Sequence, residues 1–199
     1  MLTKDEINKI LKVEGRARGV VFQTDAKYIL GKKGQAGLKK VEAAIEEIGQ
    51  PISYGKEIRA TGWYPLSWRV ISLLVIKGTF GWGEKEIFEM GYAAPKYSFV
   101  VRALLRYFVS LDKTFNESAK YWKEHYSVGQ LEAPEVNVEE KRLVLQLKDF
   151  RVHPILCQYF RGYFKSVALL TVKTDKMTIK ETKCVFRGDP YHEFVIEWE

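Results

Sequence analysis

The sequence has little cysteine and no long apolar run, and both shortages restrict the class of protein. Cys157 and Cys184 are its only cysteines, too few for a disulfide framework of the kind found in small secreted domains. The longest apolar run, 70–76, falls short of the ~18 apolar residues that a membrane helix needs. The first six residues carry charge where a signal peptide has an apolar run. The sequence therefore predicts a cytoplasmic protein with reduced thiols and no membrane span.

The short motifs of common enzyme classes are also missing. There is no nucleophile elbow, no phosphate-binding loop and no dinucleotide fingerprint. Gly78, Gly81 and Gly83 lie close together, but they lack the preceding strand and the spacing of such loops. No recognisable acid–base pair stands out among the 25 carboxylates. These absences favour a binding protein over an enzyme with a self-contained catalytic motif.

The charge of the chain is positive but dispersed. The 32 Lys and Arg residues give a net charge of +7 and are mixed with the acids along the chain. The densest basic groups, 32–33 and 39–40, are too short to form a basic tail. No nucleic-acid-binding fingerprint accompanies them. The charge pattern therefore predicts a solvated surface and no nucleic-acid partner.

Length and composition are those of one globular unit. A chain of 199 residues with 46% apolar residues is long enough for one substantial core and short for two domains. We expect a single domain over 1–199, with a helical part at 1–94 and a second part at 95–199. Aromatic residues make up 14%, which is high and is compatible with a large core or with a ring-lined pocket.

Hydrophobic spacing predicts helices in the first two-thirds of the chain. Apolar residues recur at helical spacing in 4–13 and 38–48. Pro65 is suited to the start of a nearly all-apolar helix over 66–76. A helix over 84–94 is expected to break at Pro95, and another is expected over 97–111.

The pattern of the last third predicts strands with one helix between them. Within 142–150, Leu143, Leu145 and Leu147 alternate with Val144, Gln146 and Lys148, which is typical of a strand with one buried face. Strands are also predicted at 131–138, 177–186 and 191–198, and a helix at 154–172. Helices first and strands last predict an α+β fold with a C-terminal four-stranded antiparallel sheet.

Four side chains in this last third form a candidate metal site. Cys157 lies early in the predicted helix, Glu181 and Cys184 on the next strand, and His192 on the last strand. Two thiolates, one imidazole and one carboxylate are a suitable tetrahedral set for zinc. Against this, buried cysteines are usually inert, and residues three apart on a strand face opposite ways unless a bulge re-aims one.

Two further histidines are weaker candidates. His153 is either a helix-start residue or a spare ligand, and a haem iron would require such a histidine in an apolar cleft. His125 has aromatic and charged neighbours in sequence, which is typical of a packing or surface histidine.

Aromatic side chains near the apolar helices are candidate walls of a ligand pocket. The same rings are equally suited to a dry core or a dimer seam. The predicted ligand-binding residues are Trp63, Trp68, Phe99, Phe108, Tyr159 and Tyr163.

Three segments of the C-terminal part resemble the 4-vinyl reductase domain family. They are CQYFRG at 157–162, ETKC at 181–184 and GDPYHEF at 188–194. The family pattern is a helix cysteine followed by glycine, a Glu-x-x-Cys strand, and a Gly-Asp turn leading to a second cysteine. The resemblance covers 95–199 well and the N-terminal half loosely.

The resemblance implies a sensor or hydrocarbon-binding protein. It implies zinc held by Cys157, Glu181 and Cys184, with His192 where the family has cysteine. It also implies a small apolar or aromatic ligand, a helix-mediated homodimer, and a fold similar to a transport-particle subunit and to nitric-oxide-sensing haem domains. Any output would pass through a downstream protein partner. An enzyme acting on a tetrapyrrole or aromatic substrate and a scaffold subunit are the alternatives.

Overall fold

A computed structural model describes residues 2–98 and 110–199 and confirms the α+β class, with helices first and a four-stranded antiparallel sheet last. The predicted helix over 97–111, with Phe99 and Phe108, lies mostly outside the described residues. The elements in chain order are α1 Lys4–Leu11, β1 Arg16–Arg18, α2 Gly19–Glu47, β2 Trp63–Pro65, α3 Leu66–Phe80, α4 Glu84–Tyr97, α5 Leu111–Asn116, α6 Ser118–Lys123, β3 Gln130–Asn137, β4 Arg142–Lys148, α7 Ile155–Leu169, β5 Met177–Lys183 and β6 His192–Trp198.

Helix boundaries follow local chemistry. Thr3 and Glu6 form a reciprocal capping box at the start of α1. Gly34 interrupts α2 with φ 66° and ψ −173°, a conformation open to glycine, so α2 is two helical segments joined at that residue. The predicted break at Pro95 is wrong. Helix α4 continues to Tyr97, because a proline in the last turn removes only one hydrogen bond near the helix end.

The sheet has the strand order β3-β4-β6-β5, all antiparallel. The predicted buried leucine face of β4 is confirmed, since Leu143, Leu145 and Leu147 are fully buried. Val144, on the opposite face, is buried as well. Leu145 pairs with Phe194 on β6, and the Phe194 ring meets Phe164 of α7 with centroids 5.2 Å apart. Helix α7 therefore packs on the buried face of the sheet.

Two short strands that the sequence did not predict hold the segment 125–127, just before the sheet, in place. Strands β1 and β2 pair with each other, and Ala17 of β1 bridges to Tyr126. The Arg18 amide donates to the His125 carbonyl at 2.8 Å, and the Ser127 amide donates to the Arg16 carbonyl at 3.0 Å. The segment 125–127 is thereby fixed against β1.

Helices α4 and α7 cross at two glycines. A Cβ on Gly91 would lie 1.9 Å from the Tyr159 carbonyl oxygen, and one on Gly162 would lie 2.0 Å from that of Phe88. No other residue fits at either position without moving a backbone. The two helices therefore form one closely packed unit.

The buried apolar side chains of both parts belong to one continuous cluster, which reaches from Ile7 in α1 to Ile196 in β6. Within residues 2–98 and 110–199, no helix is both long enough and apolar enough to cross a membrane.

Candidate functional site

A cavity lies between the helical part and α7. The space open to the centre of a water molecule is about 90 Å³. One water needs only ~10–15 Å³ by the same measure, so the cavity has room for a small organic molecule. The described residues that line it are Val20, Val21, Thr24, Ala94, Ser98, Thr114, Phe115, Ser118, Tyr121, Trp122, His125, Tyr126, Leu131, Tyr159, Phe160, Tyr163, Phe164 and Val167.

Aromatic rings dominate one wall of this cavity. Trp122 stacks on Tyr126 with ring centroids 4.6 Å apart, and both meet Phe160 edge-on. Phe160 in turn stacks on Phe164 at 5.8 Å. The Trp122 indole N–H donates to the Val128 carbonyl at 2.9 Å, which fixes the ring plane. The wall is thus apolar and held in position.

Most polar groups in the wall already have partners in the chain. The Thr24 and Thr114 hydroxyls donate to the carbonyls of Val20 and Ser110, at 2.7 Å and 2.8 Å. The Ser118 hydroxyl donates to a backbone carbonyl at 3.5 Å, and the Tyr121 hydroxyl to a carboxylate at 2.8 Å. These groups contribute little free hydrogen-bonding capacity to the cavity.

His125 is different, because one of its ring nitrogens has no partner among the described residues. Its Nδ1 lies 2.9 Å from the Tyr121 carbonyl, an acceptor, so Nδ1 carries the proton. Burial lowers the pKa of His125, and the hydrogen bond to Tyr121 only partly opposes this. The ring is therefore neutral near pH 7, and Nε2 keeps a lone pair on a residue that lines the cavity.

Behind the aromatic wall lies a fully buried ion pair between Asp25 of α2 and Arg69 of α3. Arg69 Nη2 donates to Asp25 Oδ1 at 3.3 Å, and the Tyr159 hydroxyl donates to the same oxygen at 3.2 Å. The guanidinium also stands over the Tyr159 ring, 4.6 Å from its centroid. The pair thus contacts the cavity wall from behind.

The predicted ligand-binding residues do not all lie at one site. Tyr159 and Tyr163 line the cavity. Trp63 is partly exposed beneath the Arg18 guanidinium, and Trp68 stacks on Tyr64, both outside the described lining. Phe99 and Phe108 lie outside the described residues.

Sequence reasoning missed the cavity residues of α6 and of the segment after it. His125 and Trp122 offered no motif, and the spacing of His125 suggested only packing. The usable signal was their helical separation by three residues, which places side chains on a similar face.

The second feature is the cluster predicted at the junction of α7 with the terminal hairpin, and its four side chains do converge. One donor atom from each of Cys157, Glu181, Cys184 and His192 lies within 4.8 Å of every other. Cys157 Sγ is 3.9 Å from Cys184 Sγ and 3.8 Å from His192 Nδ1. The Glu181 carboxylate lies 3.0 Å from that same nitrogen.

A strand irregularity makes the convergence possible. The β5–β6 register shifts between Glu181 and Lys183, and Cys184 lies just beyond the end of β5. The Cys184 amide donates to the Asp189 carboxylate at 2.8 Å, which holds the turn after the strand. Residues three apart thereby face the same point, as a bulge permits.

The electrostatics of the cluster are set by burial. Burial raises the pKa of Cys157 strongly, and nearby Glu181 and Cys184 raise it further. Burial also acts to raise the pKa of Glu181, but the hydrogen bond and charge of His192 outweigh it and lower that pKa. The remaining ring nitrogen of His192 donates to the Phe150 carbonyl at 3.0 Å.

His153 is a helix-start residue. Its Nδ1 accepts the Ile155 amide at 3.1 Å, which satisfies a free N–H of the first turn of α7. His153 is not among the four residues whose donor atoms converge.

Comparison with known proteins gives a fold but no family. No model of a protein family matches the sequence, and no curated protein matches it. Solved structures of H-NOX proteins do match in shape. One from S. oneidensis in the Fe(II)NO ligation state is 12% identical, with a TM-score of 0.64 over 92% of this chain and 99% of that one.

Two further H-NOX structures agree. An unliganded Fe(II) mutant protein from K. algicida is 11% identical, with a TM-score of 0.63 over 92% of this chain and 96% of that one. A structure from a study of haem distortion in the H-NOX family is 14% identical, with a TM-score of 0.61 over 92% and 95%.

These comparisons correct two predictions. The resemblance to the 4-vinyl reductase domain family is wrong, because the structures that share this fold are H-NOX domains and no family model supports the match. The prediction of zinc as cofactor is also wrong, because the H-NOX structures that share this fold are haem and Fe(II) structures. The short segments at 157–194 were too small a basis for a family. At 11–14% identity, what the chain shares with these proteins is the H-NOX fold.

Proposed function

We propose that this protein binds a small, neutral, mainly apolar molecule, aromatic in character, in the cavity between α2, α6 and α7. The observation that carries the proposal is the aromatic cavity with few unengaged polar groups. Sites for small organic molecules have this composition, with a few placed polar contacts that fix orientation. The proposed role is that of a binding or sensor protein.

His125 supplies the first polar contact in this proposal. Its neutral ring offers Nε2 as an acceptor, so it favours a ligand that carries a hydroxyl or another donor. The Tyr121 carbonyl fixes the imidazole of His125, and the hydrogen bond with the Arg18 amide fixes its backbone. The acceptor Nε2 is therefore positioned before the ligand arrives. A phenol has the required apolar ring and single donor.

The likeness in fold to H-NOX proteins, in which haem has been studied, raises the question of whether this cavity fits haem. The lone pair of His125 would suit an iron ligand. The rest of the described lining does not fit. It contains no Lys or Arg to face the two carboxylates of a haem. The cavity is also small for a macrocycle, and α4 and α7 are in close contact at Gly91 and Gly162. Haem is therefore not the proposed ligand.

Calorimetric titration with phenol and toluene tests the proposal. Wild-type protein is expected to bind both, and phenol about 10-fold more tightly, as one added buried hydrogen bond implies. The His125→Phe variant is expected to bind toluene unchanged and to lose the preference for phenol. His153→Phe is the matched control, since His153 lies outside the described lining.

Two results would overturn the proposal. One is wild-type protein that binds neither probe and carries no co-purified organic molecule by native mass spectrometry. The other is stoichiometric uptake of haem with a Soret absorption band, which would replace an aromatic ligand by a porphyrin.

The four converging side chains support a separate proposal, which concerns a metal site. We infer that Cys157, Glu181, Cys184 and His192 hold one metal ion. One donor atom from each of the four side chains lies within 4.8 Å of every other, and the two sulfurs are 3.9 Å apart, so a single ion could contact all four. Elemental analysis for all first-row metals identifies the ion. A metal content near zero in wild-type protein, unchanged in Cys184→Ser, would refute the assignment.

The homodimer and the downstream protein partner remain predictions from the sequence. Light scattering at several protein concentrations tests the first of them directly.

A further inference from the structure

The basic groups 32–33 and 39–40, which are separate in the sequence, lie on one helix in the structure. The stretch 26–41 of α2 contains five lysines and no acid. All five lysines are exposed, at positions 27, 32, 33, 39 and 40. Neither the cavity lining nor the four-residue cluster includes any of them. The stretch 26–41 is called the basic segment.

The middle of the basic segment protrudes from the protein. Every residue from Leu30 to Ala36 is exposed. Since a helix turns once in about 3.6 residues, a run of this length points in all directions around the axis, so the helix stands out from the surface here. Gly34 lies within the run, with φ 66°, where one helical segment of α2 ends and the next begins. The surface at this point is therefore convex, unlike a ligand pocket or a peptide groove.

Two partly exposed aromatic rings lie beside the protrusion. The Lys33 ammonium lies 5.5 Å from the centroid of the Phe80 ring, and the Phe80 ring lies 5.0 Å from that of Trp82. A Cβ on Gly37 would lie 3.6 Å from the same Phe80 ring, so the second segment of α2 approaches it too. Lysines and aromatic rings therefore share one surface.

Nearby acids do not cancel the charge of the basic segment. Among the described residues, Lys32 is the only one of the five lysines with an ion pair, to Glu89 at 3.9 Å. Both side chains are exposed, so this pair is weak. Glu86 accepts the Gly83 amide at 2.7 Å and is directed at the start of α4. The segment therefore keeps an excess of positive charge.

We infer that the basic segment, together with Phe80 and Trp82, docks the protein on a membrane surface that carries anionic phospholipid headgroups. Lysines close to such a surface are attracted by its negative potential. Tryptophan and phenylalanine enter the boundary between headgroups and acyl chains, while lysine stems extend from apolar surface toward the phosphate groups. This contact requires no membrane-spanning helix. The docking is independent of the cavity and of its ligand.

The convex shape and the covered ring favour a bilayer over other polyanions. Peptides are bound in grooves or along strand edges, and a protruding helix forms neither. Single-stranded nucleic acid needs open ring faces on which its bases stack. The Lys33 ammonium stands over the Phe80 ring, so a lysine of the protein itself occupies that position. A flat anionic surface fits this arrangement better than either.

Vesicle flotation tests the docking. Wild-type protein is expected to bind vesicles of equal parts phosphatidylcholine and phosphatidylserine, and not vesicles of phosphatidylcholine alone. Added salt should weaken binding, because salt screens exposed charges. Lys33→Gln/Lys40→Gln is expected to weaken binding about 25-fold, at about 5-fold for each lysine near the surface. Lys173→Gln/Lys180→Gln, at two exposed lysines outside the basic segment, is the control with the same loss of charge.

The contribution of the aromatic rings is tested by Trp82→Ala. Loss of the indole from the bilayer boundary should weaken binding to the mixed vesicles about 10-fold. Trp63→Ala is the matched control, since Trp63 is a partly exposed tryptophan that lies before the start of α3, whereas Trp82 follows its end. If Trp82→Ala does not fold, as judged by thermal unfolding, the lysine variants still decide.

Three results would overturn the docking. The first is wild-type protein that does not bind the mixed vesicles. The second is an equal loss of binding in the two lysine variants, since net charge rather than this segment would then be responsible. The third is tight binding to polyglutamate with vesicle binding unaffected by Trp82→Ala, which would make an acidic protein the partner. None of the substituted residues lines the cavity, so phenol affinity should stay unchanged and the ligand-binding proposal is decided separately.

Discussion

The cavity and the four-residue cluster lie on the same helix and differ in almost every other respect. Cys157 faces the cluster from the first turn of α7, and Tyr159 and Tyr163 face the cavity from the following turns. The cavity has space and few unengaged polar groups. The cluster has four donor atoms within 4.8 Å of one another, and the pocket beside it has no room for a water molecule.

The difference teaches how one amphipathic helix can serve two kinds of chemistry. A binding cavity needs walls that are rigid and partly empty, whereas a metal-binding cluster needs side chains that meet at a point. The close contact of α4 and α7 at Gly91 and Gly162 supplies the rigidity. The shifted register of β5 supplies the convergence. Three substitutions and a change of pH test whether the cavity and the cluster behave independently.

The largest effect is expected from filling the cavity. Val167→Phe places a ring in the space that the ligand would occupy, so phenol affinity should fall by more than ~100-fold while the fold persists. Calorimetric titration measures the loss. Val195→Phe, at a β6 position of equal 8% exposure outside the described lining, is the control. Unchanged affinity in Val167→Phe would place the ligand elsewhere.

A smaller effect, on both regions together, is expected from Gly162→Ala. Its Cβ would meet the Phe88 carbonyl, so α7 must shift, at a cost of about 2–3 kcal/mol in the free energy of unfolding. Urea denaturation measures this change. Gly78→Ala, where nothing lies within 4 Å, is expected to stabilise α3 by up to about 1 kcal/mol. Equal stabilities of the two variants would contradict the close crossing.

An effect confined to the cluster is expected from His192→Phe. In metal-free protein the substitution removes the hydrogen bonds to Glu181 and to the Phe150 carbonyl, which should cost about 2 kcal/mol of stability. Phenol affinity should not change. If it falls as well, the cluster and the cavity are coupled and the separation drawn above is wrong.

The smallest effect concerns pH. Burial lowers the pKa of His125 in the folded protein, so the unfolded chain takes up a proton first as pH falls. Stability is therefore full above about pH 6.5 and falls below it, by at most about 1.4 kcal/mol per pH unit. His153 acts in the same direction, because burial and Lys77 lower its pKa. Denaturation of wild-type protein and His125→Gln between pH 7.5 and 5.5 isolates the His125 share. A pH dependence identical in both proteins would contradict it.

Sequence patterns predicted the sheet and the cluster better than the cavity. The alternation in β4 and the turn before His192 depend on local spacing, which a sequence displays directly. The four cluster residues were visible because thiol, imidazole and carboxylate are rare together. The cavity depends on where Val20, Trp122 and Val167 leave space after packing, which no local pattern records. The β1–β2 pair was missed because each strand has only three residues.

The positions of Phe160 and Phe150 restrict which substitutions this protein can accept. The Phe160 ring lines the cavity and also borders the small pocket beside the cluster. It meets the ring of Phe150, whose carbonyl accepts a hydrogen bond from His192. A ring shared by two compartments cannot be reshaped for one without disturbing the other. Any retuning of ligand size at this partition must therefore be compatible with the neighbouring imidazole, which narrows the substitutions open to evolution or to an engineer.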